Sequence, residues 1–194
     1  MSTYHMISNI KRYVSLTQEE ENAFRAIIRN KTIAKGEYIV RPGEVCTAQT
    51  YVTEGALRSY YRHENGSDHT IQFAVEDWFI SDFNSYITQT PAQLYVEALE
   101  KSTLQQISYT DTEDLCQNHP VFERFFRQVA QKAFAFAQKR VLSAISKTAE
   151  ERYAELETRY PNIINRVPQY TIASYLGISP EFLSKLKKNR WVRS

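Results

Sequence analysis

The side chains with the clearest capacity for chemistry lie near the C-terminal end of the sequence. Glu181, Ser184, Lys185 and Lys188 recur at helical spacing and share one side of a helix. Phe182, Leu183 and Leu186 are expected on the other side. A face that holds hydrogen-bonding and cationic groups but no aliphatic residue suits the major groove of DNA. Lys185 and Lys188 can reach guanine edges or phosphates, Glu181 can accept from a cytosine amino group, and Ser184 can bond to either phosphate or base. Gln169 and Thr171 before the turn, with Ser179 and Pro180 at the start of the helix, complete the expected DNA-binding set.

A solvated helix face would have a similar pattern, so the elements that position it carry the weight. The run Val167-Pro168-Gln169-Tyr170-Thr171-Ile172-Ala173-Ser174-Tyr175-Leu176-Gly177-Ile178-Ser179-Pro180 reads as a helix, a tight turn and the start of a second helix. Pro168 fits the first helical position, where its missing N–H costs nothing. Ile172, Ala173 and Leu176 give the first helix a face to bury. Gly177 can end it in the left-handed conformation. Ser179 is a good N-cap, Pro180 fits the position after it, and Glu181 favours the positive end of the helix dipole. Ile178 and Leu183 are spaced for a hydrophobic staple.

Other chemistries find little support. Cys46 and Cys116 have no neighbouring base in sequence, and two cysteines cannot build a disulfide framework or a four-cysteine metal site. His63 and His69 are the only histidines in the β-rich block. They lack the close His-x-His pair with a following Glu that a cupin-like metalloenzyme uses. No catalytic residue, metal or cofactor is therefore expected, and the chain does not read as an enzyme.

Further back, Thr17 and Glu20 form a capping box that opens a short helix through Phe24, Ile27 and Ile28. From Lys31 to Ser108, short β-rich runs alternate with turn signals, among them Pro42-Gly43, Gly55 and Asn65-Gly66. This suits an antiparallel sandwich, roll or barrel, and no 3.6-residue period is evident inside it. Thr110 and Glu113 make a second capping box. A long helix follows from near Val121, with Phe122, Phe125, Phe126, Val129, Ala133 and Phe136 on one side and Ala130, Phe134, Ala137 and Val141 widening the apolar arc. So wide an arc must be buried against two bodies, the β domain and the same helix of a second subunit. Phe122, Phe126, Val129, Ala133 and Phe136 are the expected dimer interface. Thr148 and Glu151 cap another helix, and Ser143 to Thr148 reads as a hinge. The expected division is a sensor domain over 1–119, a dimerisation helix and hinge over 120–147, and a DNA-binding domain over 148–194.

Bulk properties agree. The chain has 194 residues, 42% of them hydrophobic and 13% aromatic, which excludes a disordered chain. A formal net charge of +2 announces no partner by itself, but from Arg166 onward six basic residues face one acid, Glu181. No apolar run reaches membrane-spanning length and the start has no signal-peptide pattern, so a cytoplasmic protein without a membrane partner is expected.

The segment Ile172-Ala173-Ser174-Tyr175-Leu176-Gly177-Ile178-Ser179-Pro180-Glu181-x-Leu183-Ser184-Lys185 resembles the helix-turn-helix of the Crp/Fnr family of bacterial regulators. Lys35-Gly36-Glu37, Pro42-Gly43-Glu44 and Tyr51-Val52-Thr53-Glu54-Gly55-Ala56-Leu57-Arg58 resemble that family's cyclic-nucleotide-binding β-roll, and Glu151-Arg152-Tyr153 its interdomain helix. The resemblance implies an α+β chain: an N-terminal antiparallel, jelly-roll-like β-roll, a long dimerisation helix, and a C-terminal helix-turn-helix without a full wing. It implies a homodimer on a palindromic site in double-stranded DNA, RNA polymerase as a partner, and control by a small-molecule effector. The effector pocket would fall at Ser81, Asp82, Phe83, Asn84, Ala92, Gln93 and Tyr95. In the family's cyclic-AMP binders a Gly-Glu pair and an Arg-Ser pair surround the phosphate. Here Phe79-Ile80-Ser81-Asp82 and Ala92-Gln93 stand in their places, and loss of the Arg argues against cyclic AMP. A ligand-sensing or protein-interaction β-roll that no longer reads DNA is the alternative.

Overall fold

The computed structural model describes residues 5–193, with side chains as far as Lys188. Two helices, α1 (Met6–Ile10) and α2 (Gln18–Ile27), lead into eight strands: β1 (Arg29–Ile33), β2 (Tyr38–Val40), β3 (Ala48–Glu54), β4 (Leu57–Arg62), β5 (Asp68–Ala74), β6 (Phe79–Ile80), β7 (Tyr95–Ala98) and β8 (Ser102–Ser108). Helix α3 (Phe83–Thr88) lies between β6 and β7. After the strands come α4 (Tyr109–Asn118), α5 (Val121–Ser146), α6 (Ala149–Arg159), α7 (Ile163–Arg166), α8 (Gln169–Leu176) and α9 (Pro180–Arg193).

The strands form two antiparallel sheets of four, ordered β1-β8-β3-β6 and β2-β7-β4-β5. The β4–β5 hairpin turns at Asn65-Gly66, where Gly66 has a φ of 85°, a value that costs glycine little. Val52, Leu57, Ala74, Ile80, Val96 and Leu104 point between the sheets and are buried there. The opposite face of β4 and β5 is also covered. Ala56 and Phe73 belong to a second core with Tyr153, Leu156, Tyr160, Ile172, Leu176, Leu183 and Leu186 of the C-terminal helices.

Three short elements depart from the sequence expectation. Helix α1 is a single turn, too short to display a period, yet Met6, Ile7 and Ile10 are buried. Helix α3 interrupts the β block. Its six residues include β-branched Ile87 and Thr88, and the cap at Asp82 was the one local signal for it. Helix α4 is capped two residues before its expected capping box: Ser108 accepts from the Asp111 N–H at 3.0 Å, and Thr110 lies inside the helix. The boxes at Thr17/Glu20 and Thr148/Glu151 are both formed.

Helix α5 corrects the expected seam. Phe122 is fully buried within its own chain, stacked on Phe24 with ring centroids 5.4 Å apart. Phe126 and Val129 pack on the same N-terminal cluster, and Phe136 sits edge-on to Trp78 at 6.0 Å. Of the five expected residues only Ala133 is exposed. Helical spacing puts them on one side, but says nothing of which body covers that side. The side that stays open carries Phe134, Ala137, Val141 and Ile145, with Phe134 72% and Ile145 78% exposed.

Candidate nucleic-acid interface

Both ends of α8 and the start of α9 are closed by local interactions. At the start of α8 the Thr171 hydroxyl donates to the Pro168 carbonyl oxygen at 2.6 Å, and Pro168 is the N-cap rather than the first helical residue. At its end Gly177 adopts φ 66°, which lets the Ile178 N–H reach back to the Ala173 carbonyl at 3.0 Å. Ser179 then accepts from the Phe182 N–H at 3.1 Å and caps α9.

Leu183 and Leu186 are buried against Ile172, Ala173 and Leu176, which fixes the rotation of α9 about its axis. Glu181, Ser184, Lys185 and Lys188 are all exposed, as are Gln169, Ser179 and Pro180. Hydrogen bonds from its own N–H and from Ser179 hold the Glu181 carboxyl below its ordinary value, so it is an acceptor at neutral pH. Lys187 lies outside the row and donates to Gln169 Oε1 at 2.8 Å, tying the start of α8 to α9.

Two expectations change. Thr171 has no exposed surface and its hydroxyl is taken by Pro168, so it leaves the DNA-facing set. Phe182, expected on the inner side with Leu183, is 50% exposed, because it sits a quarter-turn away from the buried line.

The unit is seated on the roll. Arg166 bridges Glu76 of the β5–β6 turn and Glu100 of the β7–β8 turn, with contacts of 2.8 and 2.5 Å. The Tyr160 hydroxyl donates to the Phe73 carbonyl at 3.2 Å. Burial raises the Tyr160 pKa, so the phenol stays protonated as a donor.

The residues expected around an effector are spatially close, but several are already engaged. Asp82 is buried, and its carboxylate accepts from the N–H groups of Ser85 (3.1 Å), Gln93 (2.9 Å) and Leu94 (3.0 Å). It therefore holds α3 to the start of β7 and is not a free ligand for a sugar or amine. Ala92 is buried, Ser81 is half-buried, and Phe83, Asn84 and Gln93 are exposed. Tyr95 stacks on Tyr60 at 5.1 Å and meets Tyr38 edge-on at 5.7 Å. Sequence reasoning missed the guanidinium beside that stack. Arg58 is 2% exposed, lies 3.8 Å from the Tyr60 ring centroid and pairs with Asp68 and Glu97. Its alternation with inward-facing Leu57 was the only available signal.

Among the described residues no group of three or more His, Cys, Asp or Glu could hold a metal ion, and no helix is long and apolar enough to cross a membrane.

Residues 30–119 match the cyclic nucleotide-binding domain family. The chain is 26% identical over 184 residues to the fumarate and nitrate reduction regulatory protein of Vibrio cholerae, covering 89% of this chain and 73% of that one. It is also 26% identical over 171 residues to electron transport regulator A of Shewanella oneidensis, covering 82% and 68%. Among solved structures, FixK2 from Bradyrhizobium japonicum shares the fold with a TM-score of 0.72 at 19% identity, over 86% of each chain. Helix-turn-helix, roll and relatives agree in being similar to those of Crp/Fnr transcription regulators.

Proposed function

We propose that this regulator acts as a homodimer that places two copies of α9 in successive major grooves of a palindromic site in double-stranded DNA. The observation that carries the reading is the rotation of α9. With Leu183 and Leu186 buried, Glu181, Ser184, Lys185 and Lys188 stand outward together, joined by Gln169, Ser179 and Pro180. Phosphate contacts would set register and base-edge contacts would set sequence. The dimer seam is the open stripe of α5, Phe134, Ala137, Val141 and Ile145, which a second α5 would cover with paired apolar side chains.

Residues 1–119 serve as the sensor, 120–147 as the dimerising helix and hinge, and 148–194 as the DNA-binding part. The break at Lys147 and Thr148, where α5 gives way to α6, supports that division. An effector would be a small molecule other than cyclic AMP. Asp82 already supplies a carboxylate to the amides of Ser85, Gln93 and Leu94, and a cyclic phosphate brought there would meet that negative charge. The protein works in the cytoplasm, with RNA polymerase as its partner on DNA.

A mobility-shift titration of randomised duplexes at several salt concentrations tests the reading. Enrichment of a palindrome, with affinity that falls steeply as salt rises, is the expected result. Enrichment of no sequence at low salt would leave a β-roll module without DNA reading.

A further inference from the structure

The described residues include a cavity of about 740 Å³ between the C-terminal half of α5, α6 and the end of α8. Its lining shares no residue with the α9 row or with the set expected around Asp82. On α5 it is lined by Phe136, Lys139, Arg140, Leu142 and Ser143, with exposed Leu142 at the rim nearest the open stripe of Phe134, Val141 and Ile145.

Its lining is unusual in charge. Lys139, Arg140, Arg152 and Arg159 all border it, and Arg140 and Arg152 turn their guanidinium groups to backbone carbonyls. The two acids on the wall are spoken for. Glu155 pairs with Lys147 and accepts from Ser143, and Glu151 completes the cap of α6. Like charges gathered around a concave surface raise the local potential and favour an anion there.

The guanidinium groups are also held in place. Arg140 lies 3.6 Å from the Tyr175 ring centroid and donates to the Tyr175 carbonyl at 3.1 Å. Arg152 donates to the carbonyls of Leu176 and Lys147. Arg159 lies 4.5 Å from the Phe136 ring centroid. A guanidinium resting on a ring or a carbonyl keeps further N–H donors for a ligand and loses less freedom when it binds. The volume is that of an ordinary small-molecule site.

We propose that this cavity is a second ligand site, one that takes a phosphorylated small molecule of nucleotide size. The site stands whether or not α9 reads DNA. By joining α5 to α6 across Lys147, such a ligand would fix the angle at the hinge.

Calorimetry on the full chain with ATP and with inorganic tripolyphosphate tests this. One saturable site per chain for either probe is expected, weakened about tenfold when Lys139→Gln and Arg159→Gln are combined. Lys139→Gln alone, at an exposed position off the apolar core, should weaken binding in the same direction. Lys185→Ala with Lys188→Ala should leave it unchanged. No saturable binding of either probe, equal binding in the cavity variants, or loss caused as much by the α9 variant would each overturn the proposal.

Discussion

The hydroxyl of Ser174 in α8 donates to the backbone carbonyl of Asp68 in β5 at 2.6 Å. The same oxygen accepts from the Thr70 N–H at 2.8 Å, so one side chain closes two main-chain groups on the free edge of an edge strand. Edge strands need such cover, since open N–H and C=O groups invite pairing with other chains. Here the cover is the first helix of the DNA-binding unit, and the Asp68 carboxylate beneath it pairs with Arg58 and Arg62. Ser174 thereby adds a third polar joint between the roll and the C-terminal helices, beside those made by Arg166 and Tyr160.

Ser174→Ala should loosen that joint. Loss of the hydroxyl leaves the Thr70 N–H and the Asp68 carbonyl without their partner, at a cost of about 1–3 kcal/mol. Hydrogen exchange should speed up at Thr70 and along α8 while the roll interior stays protected. Unchanged protection at Thr70 would show that the bond contributes nothing to docking.

Acid should release the Arg166 clamp. Burial alone would raise the Glu76 carboxyl, but the Arg166 guanidinium and the Gly55 N–H outweigh it and hold it below its ordinary value of 4.5. The folded state therefore binds this proton less readily than the unfolded one. The stabilisation is complete above about 4.5 and is lost as pH falls through the lower folded value. Thermal melts across that window should show a shallower acid decline for Glu76→Gln than for the parent protein; parallel curves would count against the clamp.

The two sides of α5 should respond differently to a charge. Phe134→Asp places a carboxylate on the open stripe and should yield a folded monomer by light scattering. Phe122→Asp buries an unpaired charge against Phe24 and should destabilise the fold by several kcal/mol. A dimer that survives Phe134→Asp would remove this stripe as the seam.

Lys185→Ala should cost about 1–3 kcal/mol of specific DNA binding if its amine meets a base edge. Thr171→Val should instead lower stability, through the lost bond to Pro168, and leave sequence preference intact. Measuring affinity for the selected site and melting temperature on both variants separates the roles. A change of preference in Thr171→Val would return that residue to the interface.

Much of the candidate site was legible because its determinants are local. The Ser179 cap, the left-handed Gly177 and the alternation of Leu183 and Leu186 with Glu181, Ser184 and Lys185 each depend on neighbours within one or two turns. The β4–β5 hairpin was readable at Asn65-Gly66 for the same reason. Helices α1 and α3 were not, because elements of five and six residues are too short to show a period.

By itself, then, the order of residues determined the two-helix unit, its outward polar row, the β block and the wide apolar arc of α5. Tertiary structure alone decided how those surfaces were used. It turned Phe122 toward Phe24 and left Phe134 open, buried Thr171, and locked Asp82 onto the amides of Gln93 and Leu94. It also set Ser174 against Asp68 across 106 residues of chain. Periodicity reports that a side must be covered. Which partner covers it depends on contacts between segments far apart in sequence, and those exist only once the chain has folded.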